Sequence, residues 1–347
     1  MSVSACIVSI SGPELLAEER AFLSQAAPWG VILMGRSCVS RAQLSALTAE
    51  IKSALGRDAL IFIDQEGGRV ARLKAPEWPK FPAAGVYGEL YERAPETAIE
   101  ACFLGHRLMG AELAALGIHA DCAPCCDLRQ TDTHDAIGDR AFGYNAQAVA
   151  ALAEAALRGL GAAGVVGVAK HMPGQGRATL DTHYDLPRVT APVQALVEDM
   201  AIFEALSDQL LMGMTCHVVF EAFDPHLPTT ISSTVISETI RKRIGFEGLL
   251  MTDDLGMNAL GGSLAERGTT ALAAGCDMLL HCSGFVKDPK QILTEMEAVV
   301  DAAGPLEGGA LERARTAEAA VKPSAEFDQE QALARFSALM SDMDASV

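Results

Sequence analysis

The sequence is short of positive charge. Lys and Arg number 27 against 45 Asp and Glu, for a formal net charge of −18. A chain this acidic repels a phosphate backbone, so no nucleic-acid partner is expected. Long apolar runs are also missing. The most apolar region, 148–168, is broken by Glu154, Arg158 and four glycines, so it reads as a helix plus a strand and not as a membrane span. No basic residue precedes the short apolar run within the first twelve residues, unlike a secretory signal, and a cytoplasmic location is expected. Internal repeats and linkers are lacking too. Half of the 347 residues are hydrophobic, which is ample material for a buried core and excludes a disordered chain.

Nine cysteines are present, but their odd number and wide scatter exclude a disulfide framework for a chain of this size. Cys122, Cys125 and Cys126 have one CxxC spacing. No second CxxC or HxxxH follows, so a structural metal is not expected, and the three read as small buried hydrophobes on a strand.

Eight short apolar runs stand at 6–10, 30–34, 59–63, 119–123, 165–169, 211–215, 248–252 and 277–281. Runs apolar on both faces suit parallel strands covered by helices. Most connections carry one helical pattern, as at 192–207 and 264–274, and a helix from about 97 to 116 follows the third run. Eight strand–helix units predict a single (β/α)8 TIM barrel, with a helical tail over 308–347 and a frayed end. An open doubly wound sheet is the alternative. Its nucleotide-binding form wants GxGxxG, and Gly174 with Gly176 supplies only part of that pattern.

Polar residues gather where these strands end. The third run leads into Asp64-Gln65-Glu66-Gly67-Gly68-Arg69, the fourth into Asp127, the fifth into Lys170 and His171. The sixth leads into His217, the seventh into Asp253 and Asp254, and the eighth closes on His281. In a barrel this end carries the active site, because the βα loops converge there. Asp181 and His183 flank one residue, and in an extended stretch both side chains share a side. A carboxylate beside an imidazole orients it and favours its protonated form, which suits a proton donor on a loop.

These residues resemble family 3 of the glycoside hydrolases, specifically its single-domain bacterial β-N-acetylhexosaminidases. The likeness runs from about residue 14 to 283. Asp64 to Arg69 followed by Arg72, the Arg140 loop 137–142, and Lys170-His171-Met172-Pro173-Gly174 follow the family's motifs. So do Asp181-Thr182-His183, the segments 228–232 and 244–248, and Thr252-Asp253-Asp254-Leu255 with Met257. The chain departs at Gln175, Arg177 and Ala178, and Cys122 to Cys126 fall in a stretch that is apolar in the family.

The resemblance implies roles. Asp253 is the nucleophile, His183 the general acid/base and Asp181 its partner. Asp64, Arg72, Arg140, Lys170 and His171 hold a non-reducing N-acetylglucosamine. Strand alternation points only one of two adjacent side chains into the site, so Asp254 reads as a supporting residue, as does His217 at its strand end. It further implies hydrolysis of 1,6-anhydromuropeptides in peptidoglycan recycling, a small carbohydrate as the partner, and no metal or organic cofactor. A β-glucosidase or a phosphorylase of the same family, or a catalytically dead sugar-binding barrel, stay open as alternatives.

Overall fold

The computed structural model describes residues 2–322 and 327–341. Each of the eight apolar runs supplies one strand. They are β1 (Ser4–Ser9), β2 (Pro28–Leu33), β3 (Leu60–Ile63), β4 (Ala120–Asp121), β5 (Val166–Met172), β6 (Met212–Thr215), β7 (Leu249–Met251) and β8 (Leu279–Leu280). Their order around the sheet is β7-β6-β5-β4-β3-β2-β1-β8, every pairing parallel. A bridge between Met251 and Met278 brings the two edges together. There Thr252 N–H donates to the Met278 carbonyl (3.0 Å) and Asp277 N–H to that of Leu250 (2.8 Å). The fold is the expected TIM barrel, its eight-stranded sheet nearly closed through this bridge. β4 covers only the middle of its apolar run; Cys122 N–H still donates to the Ile63 carbonyl (2.8 Å), and Pro124, which has no N–H, follows.

The outer ring comprises α1 (Ala17–Ala26), α2 (Arg41–Leu55), α3 (Ala84–Arg93), α4 (Pro95–Ala115), α5 (Ala146–Ala162), α6 (Val193–Leu206), α7 (Leu264–Ala274) and α8 (Pro289–Ala303). Helix Val235–Arg243, wound with a wider π pitch, fills the place between β6 and β7. Local signals fix several ends. Ser40 with Gln43 and Ser263 with Glu266 form capping boxes on α2 and α7, and left-handed Gly56 and Gly275 close the same helices. Where the sequence suggests one helix after the third run, the structure has two. Pro95 opens α4 and pushes Ala94 out of helical geometry, so α3 ends there. Gly85 and Gly88 weaken the helical signal of α3 in the sequence, and burial of Tyr87 and Leu90 supplies its stability.

The tail contributes α9 (Gly308–Ala320) and α10 (Gln329–Ser341), with 342–347, where fraying was expected, outside the described residues. α9 covers the N-terminal end of the barrel. Glu318 accepts from the Trp29 indole (2.8 Å) and Arg313 pairs with Asp277 (2.9 Å), both at strand starts. The opposite end stays open for the loops. Among the described residues no helix is long and apolar enough to cross a membrane.

Candidate active site

A cavity of about 320 Å³ opens at the C-terminal end of the barrel. Its floor is an alternating row of charges. Arg72 donates to Asp64 (2.7 Å), and Lys170 Nζ reaches both Asp64 (3.2 Å) and Glu66 (2.6 Å). Arg140 closes the row with two 2.8 Å bonds to Glu66. Asp64 and Glu66 are two residues apart on extended backbone, so they share a face. Gln65, pointing the other way, staples the turn by accepting from the Arg72 and Leu73 N–H groups. Burial opposes ionisation of both carboxyls, but Lys170 with Arg72 outweighs it at Asp64, and Arg140 with Lys170 at Glu66. Both carboxyls therefore lie below the ordinary range. Glu66 was missed as a site residue, although its spacing from Asp64 was the available signal.

Lys170 is 2% exposed at its side chain and bridges the two carboxylates, beside Arg72 at Asp64 and Arg140 at Glu66. Lys170→Met is expected to cost about 3–5 kcal/mol of stability at pH 7, the range for breaking a buried pair. The cost should be complete above the unfolded carboxyl range of about 4 and shrink as pH falls below it. Carboxyls held low on folding contribute stability above their unfolded range and lose it on protonation. Urea denaturation at several pH values checks the slope.

Lys170 and His171 belong to β5, and their peptide bond is cis. The β5–β6 register shifts between Ala169 and Met172, and these sequence neighbours both line the cavity. Buried Asp127 accepts from His171 Nδ1 (2.7 Å) and from Gln175 N–H (2.6 Å), which leaves Nε2 of His171 toward the cavity. Cys125 Sγ also donates to Asp127 (3.2 Å). The cysteine cluster is thus buried as expected, but beyond the strand end, with Cys125 in a polar contact. All nine cysteines are free.

The loop after β5 carries Asp181 and His183. The sequence reading puts them on extended backbone; the structure makes a turn, with Asp181 Oδ1 accepting from both His183 N–H (3.0 Å) and Nδ1 (2.7 Å). The pair forms as expected by a different local route, since an aspartate readily bonds backbone two residues on. Burial disfavours the Asp181 anion, and the bonds from His183 outweigh it, so the carboxyl is lowered. The loop is anchored at both ends. Gly176 sits where a Cβ would meet the Leu128 carbonyl at 1.8 Å, and Arg177 binds Asp199 (2.7 Å). Beyond it, the Thr182 carbonyl accepts from Ala259 N–H (3.2 Å), tying the loop to the one that follows β7. The Phe285 ring meets His183 edge-on at 5.6 Å.

Asp253 and Asp254 follow β7 and both line the cavity, where strand alternation leads one to expect only one. Their surroundings differ. Asp254 accepts from Gly256 N–H (2.9 Å), Cys282 N–H (3.0 Å) and His281 Nδ1 (3.2 Å). Burial raises its carboxyl less than His281 and these amides lower it. Asp253 accepts one bond, from Asp254 N–H (2.8 Å). Among the described residues, no Lys, Arg or His pairs with it. His217 is buried behind the site and does not line it; it bonds the Asp254 carbonyl (3.0 Å) and Thr230 (2.7 Å). The other nine residues expected at the site line one cavity.

The Glycosyl hydrolase family 3 N terminal domain profile matches residues 6–318. This chain belongs to glycoside hydrolase family 3. As a family 3 member it is a glycosidase, and its relatives share most of its length. A β-hexosaminidase of Alkalilimnicola ehrlichii is 39% identical over 287 residues, 82% of each chain. One from Thioalkalivibrio sulfidiphilus is 36% identical over 309 residues, 88% of this chain and 87% of its own. NagZ from Neisseria gonorrhoeae, solved with N-trifluoroacetyl-D-glucosamine, superposes with a TM-score of 0.83 at 29% identity, covering 98% and 97% of the two chains.

Proposed function

We propose that this family 3 enzyme, a β-N-acetylhexosaminidase, is a retaining, exo-acting β-N-acetylglucosaminidase with Asp253 as nucleophile and His183 as general acid/base. One observation carries the assignment. Asp64, Glu66, Asp181 and Asp254 each have a cationic or imidazole partner, and among the described residues Asp253 has none. A carboxylate without a counter-charge keeps its lone pairs for an anomeric carbon. His183 has its Nδ1 held by Asp181, so Nε2 is the atom that protonates the leaving oxygen and later takes a proton from water. A glycosyl–Asp253 ester forms as the glycosidic C–O bond breaks, and water then cleaves it with net retention.

The row Arg72–Asp64–Lys170–Glu66–Arg140 and His171 hold the sugar hydroxyls through charge-assisted bonds. The natural substrate in this reading is an N-acetylglucosaminyl-1,6-anhydromuropeptide, met in the cytoplasm during peptidoglycan recycling. Support comes from the hexosaminidase names of the relatives and the N-acylglucosamine analogue bound by the Neisseria protein.

The test is turnover of that muropeptide beside an aryl β-glucoside and an aryl β-N-acetylgalactosaminide. The first is expected to be preferred, and early proton NMR to show the β-anomer of N-acetylglucosamine. Release of the α-anomer would overturn the double displacement. Replacing inert buffer by phosphate should leave the product as free sugar; a sugar 1-phosphate would show phosphorolysis.

A further inference from the structure

We propose that His281 is a positioning residue for the reaction: clamped between Asp254 and Glu295, it supplies the cation that lets two adjacent carboxylates, Asp253 and Asp254, stay ionised together. The inference rests on the reading of Asp253 as nucleophile.

Two neighbouring carboxylates facing one cavity resist double ionisation, and one of them tends to keep a proton. A nucleophile burdened in that way loses activity on the acid side. Here the competing charge is compensated from behind. His281 Nδ1 lies 3.2 Å from Asp254, and its Nε2 lies 3.1 Å from Glu295 on α8 and 2.9 Å from Ser283 Oγ. With a carboxylate at each ring nitrogen, both nitrogens must donate, which only the imidazolium can do. The ring's side chain is 1% exposed, so neither bond is competed for by water. Burial works against its charge, but the Asp254 and Glu295 bonds prevail and push it up to about 9.

The remaining charged neighbours do not replace this cation. Arg36 spends its guanidinium on the Ile10, Cys282 and Ser283 carbonyls and the Ser9 hydroxyl. Arg267 bonds the Leu255 and Met257 carbonyls and those of Gly261 and Gly262. His217 bonds Thr230 and the Asp254 backbone carbonyl and neither carboxylate, and burial lowers its proton affinity against the pull of Asp253 and Asp254. Gly256 keeps the contact tight, since a Cβ there would sit 3.2 Å from both Asp254 Oδ1 and His281 Cε1. The line of action then runs from Glu295 through His281 to the Asp254 carboxylate, beside the Asp253 carboxylate that the Asp254 N–H holds.

The sign follows. His281 is raised on folding from 6.5 to about 9, so its clamp is complete below about pH 6.5 and is lost as pH rises through about 9. At acid pH the clamp is intact, so the acid limb of kcat/KM is read with His281 charged. Removing the cation while Asp254 stays charged raises the proton affinity of Asp253.

The experiment compares wild type, His281→Gln and Glu295→Gln by the pH profile of kcat/KM on an aryl N-acetylglucosaminide, with thermal midpoints in parallel. His281→Gln is expected to move the acid limb upward by about one pH unit. Glu295→Gln leaves Asp254 paired with a ring that is still protonated at acid pH, so its acid limb should stay in place. A structural role alone would lower both midpoints and move neither limb, and that result, or equal shifts in both variants, would overturn the proposal. Peptide mapping of wild type after a 5-fluoro N-acetylglucosaminyl fluoride separates the two readings. A label on another residue fails the nucleophile assignment, whereas a label on Asp253 with an unmoved His281→Gln limb fails only the positioning role.

Discussion

Asp253→Asn is expected to lower kcat/KM by on the order of 10⁴-fold or more on every β-N-acetylglucosaminide, activated or not, as loss of a covalent nucleophile does. The carboxamide has the same shape, and its oxygen still accepts the Asp254 N–H that holds the native side chain at 2.8 Å. Folding should therefore survive, and a neutral side chain removes repulsion from Asp254. The adjacent carboxylate is no substitute. Its Oδ1 is committed to Gly256, Cys282 and His281, so attack from Asp254 would break contacts that join the ends of β7 and β8. The check is steady-state kinetics with intact mass after the fluorosugar: wild type gains one glycosyl unit and Asp253→Asn gains none. Wild-type rates in the variant would remove Asp253 from the mechanism.

His183→Ala is expected to discriminate between leaving groups. On the natural disaccharide or an alkyl glycoside, whose oxygen must be protonated as the bond breaks, kcat/KM should fall about 10²- to 10⁴-fold. On a dinitrophenyl glycoside, which leaves as a stable anion, kcat/KM should change less than about tenfold. That contrast separates a proton donor from a residue that merely shapes the cavity, whose loss would harm both alike. Asp181→Asn should show the same contrast in weaker form. It keeps the bond to Nδ1 of His183 and removes the charge that stabilises the imidazolium. Equal losses on both glycosides would sink the acid role.

Much of this was legible in the chain because a barrel repeats one simple pattern. Two-sided apolar runs have a single comfortable place, a parallel sheet covered by helices, so the strands follow from composition alone. Helix ends are equally local: Ser263, Glu266 and Gly275 bound α7 where the spacing put it. Putting polar residues after strands also needs no long-range information once the barrel is granted. The motif residues Asp64, Arg72, Arg140, Lys170, His171, Asp181, His183, Asp253 and Asp254 could thus be placed at one end of the barrel before any contact was known.

Who pairs with whom was not legible, because Coulomb interaction depends on separations that the sequence does not encode. Arg140 and Glu66 are 74 residues apart and meet at 2.8 Å; His281 and Asp254 are 27 apart and meet at 3.2 Å. Strand alternation even misled, since it assigns one of Asp253 and Asp254 to the cavity and both line it. The sequence by itself determined the barrel, the end at which the site lies and the residue types available there. Only the tertiary structure decided which carboxylates of the cavity are paired with a cation and which stay unpaired. Packing sets the distances between charges, and among the described residues those distances leave Asp253 without a counter-ion.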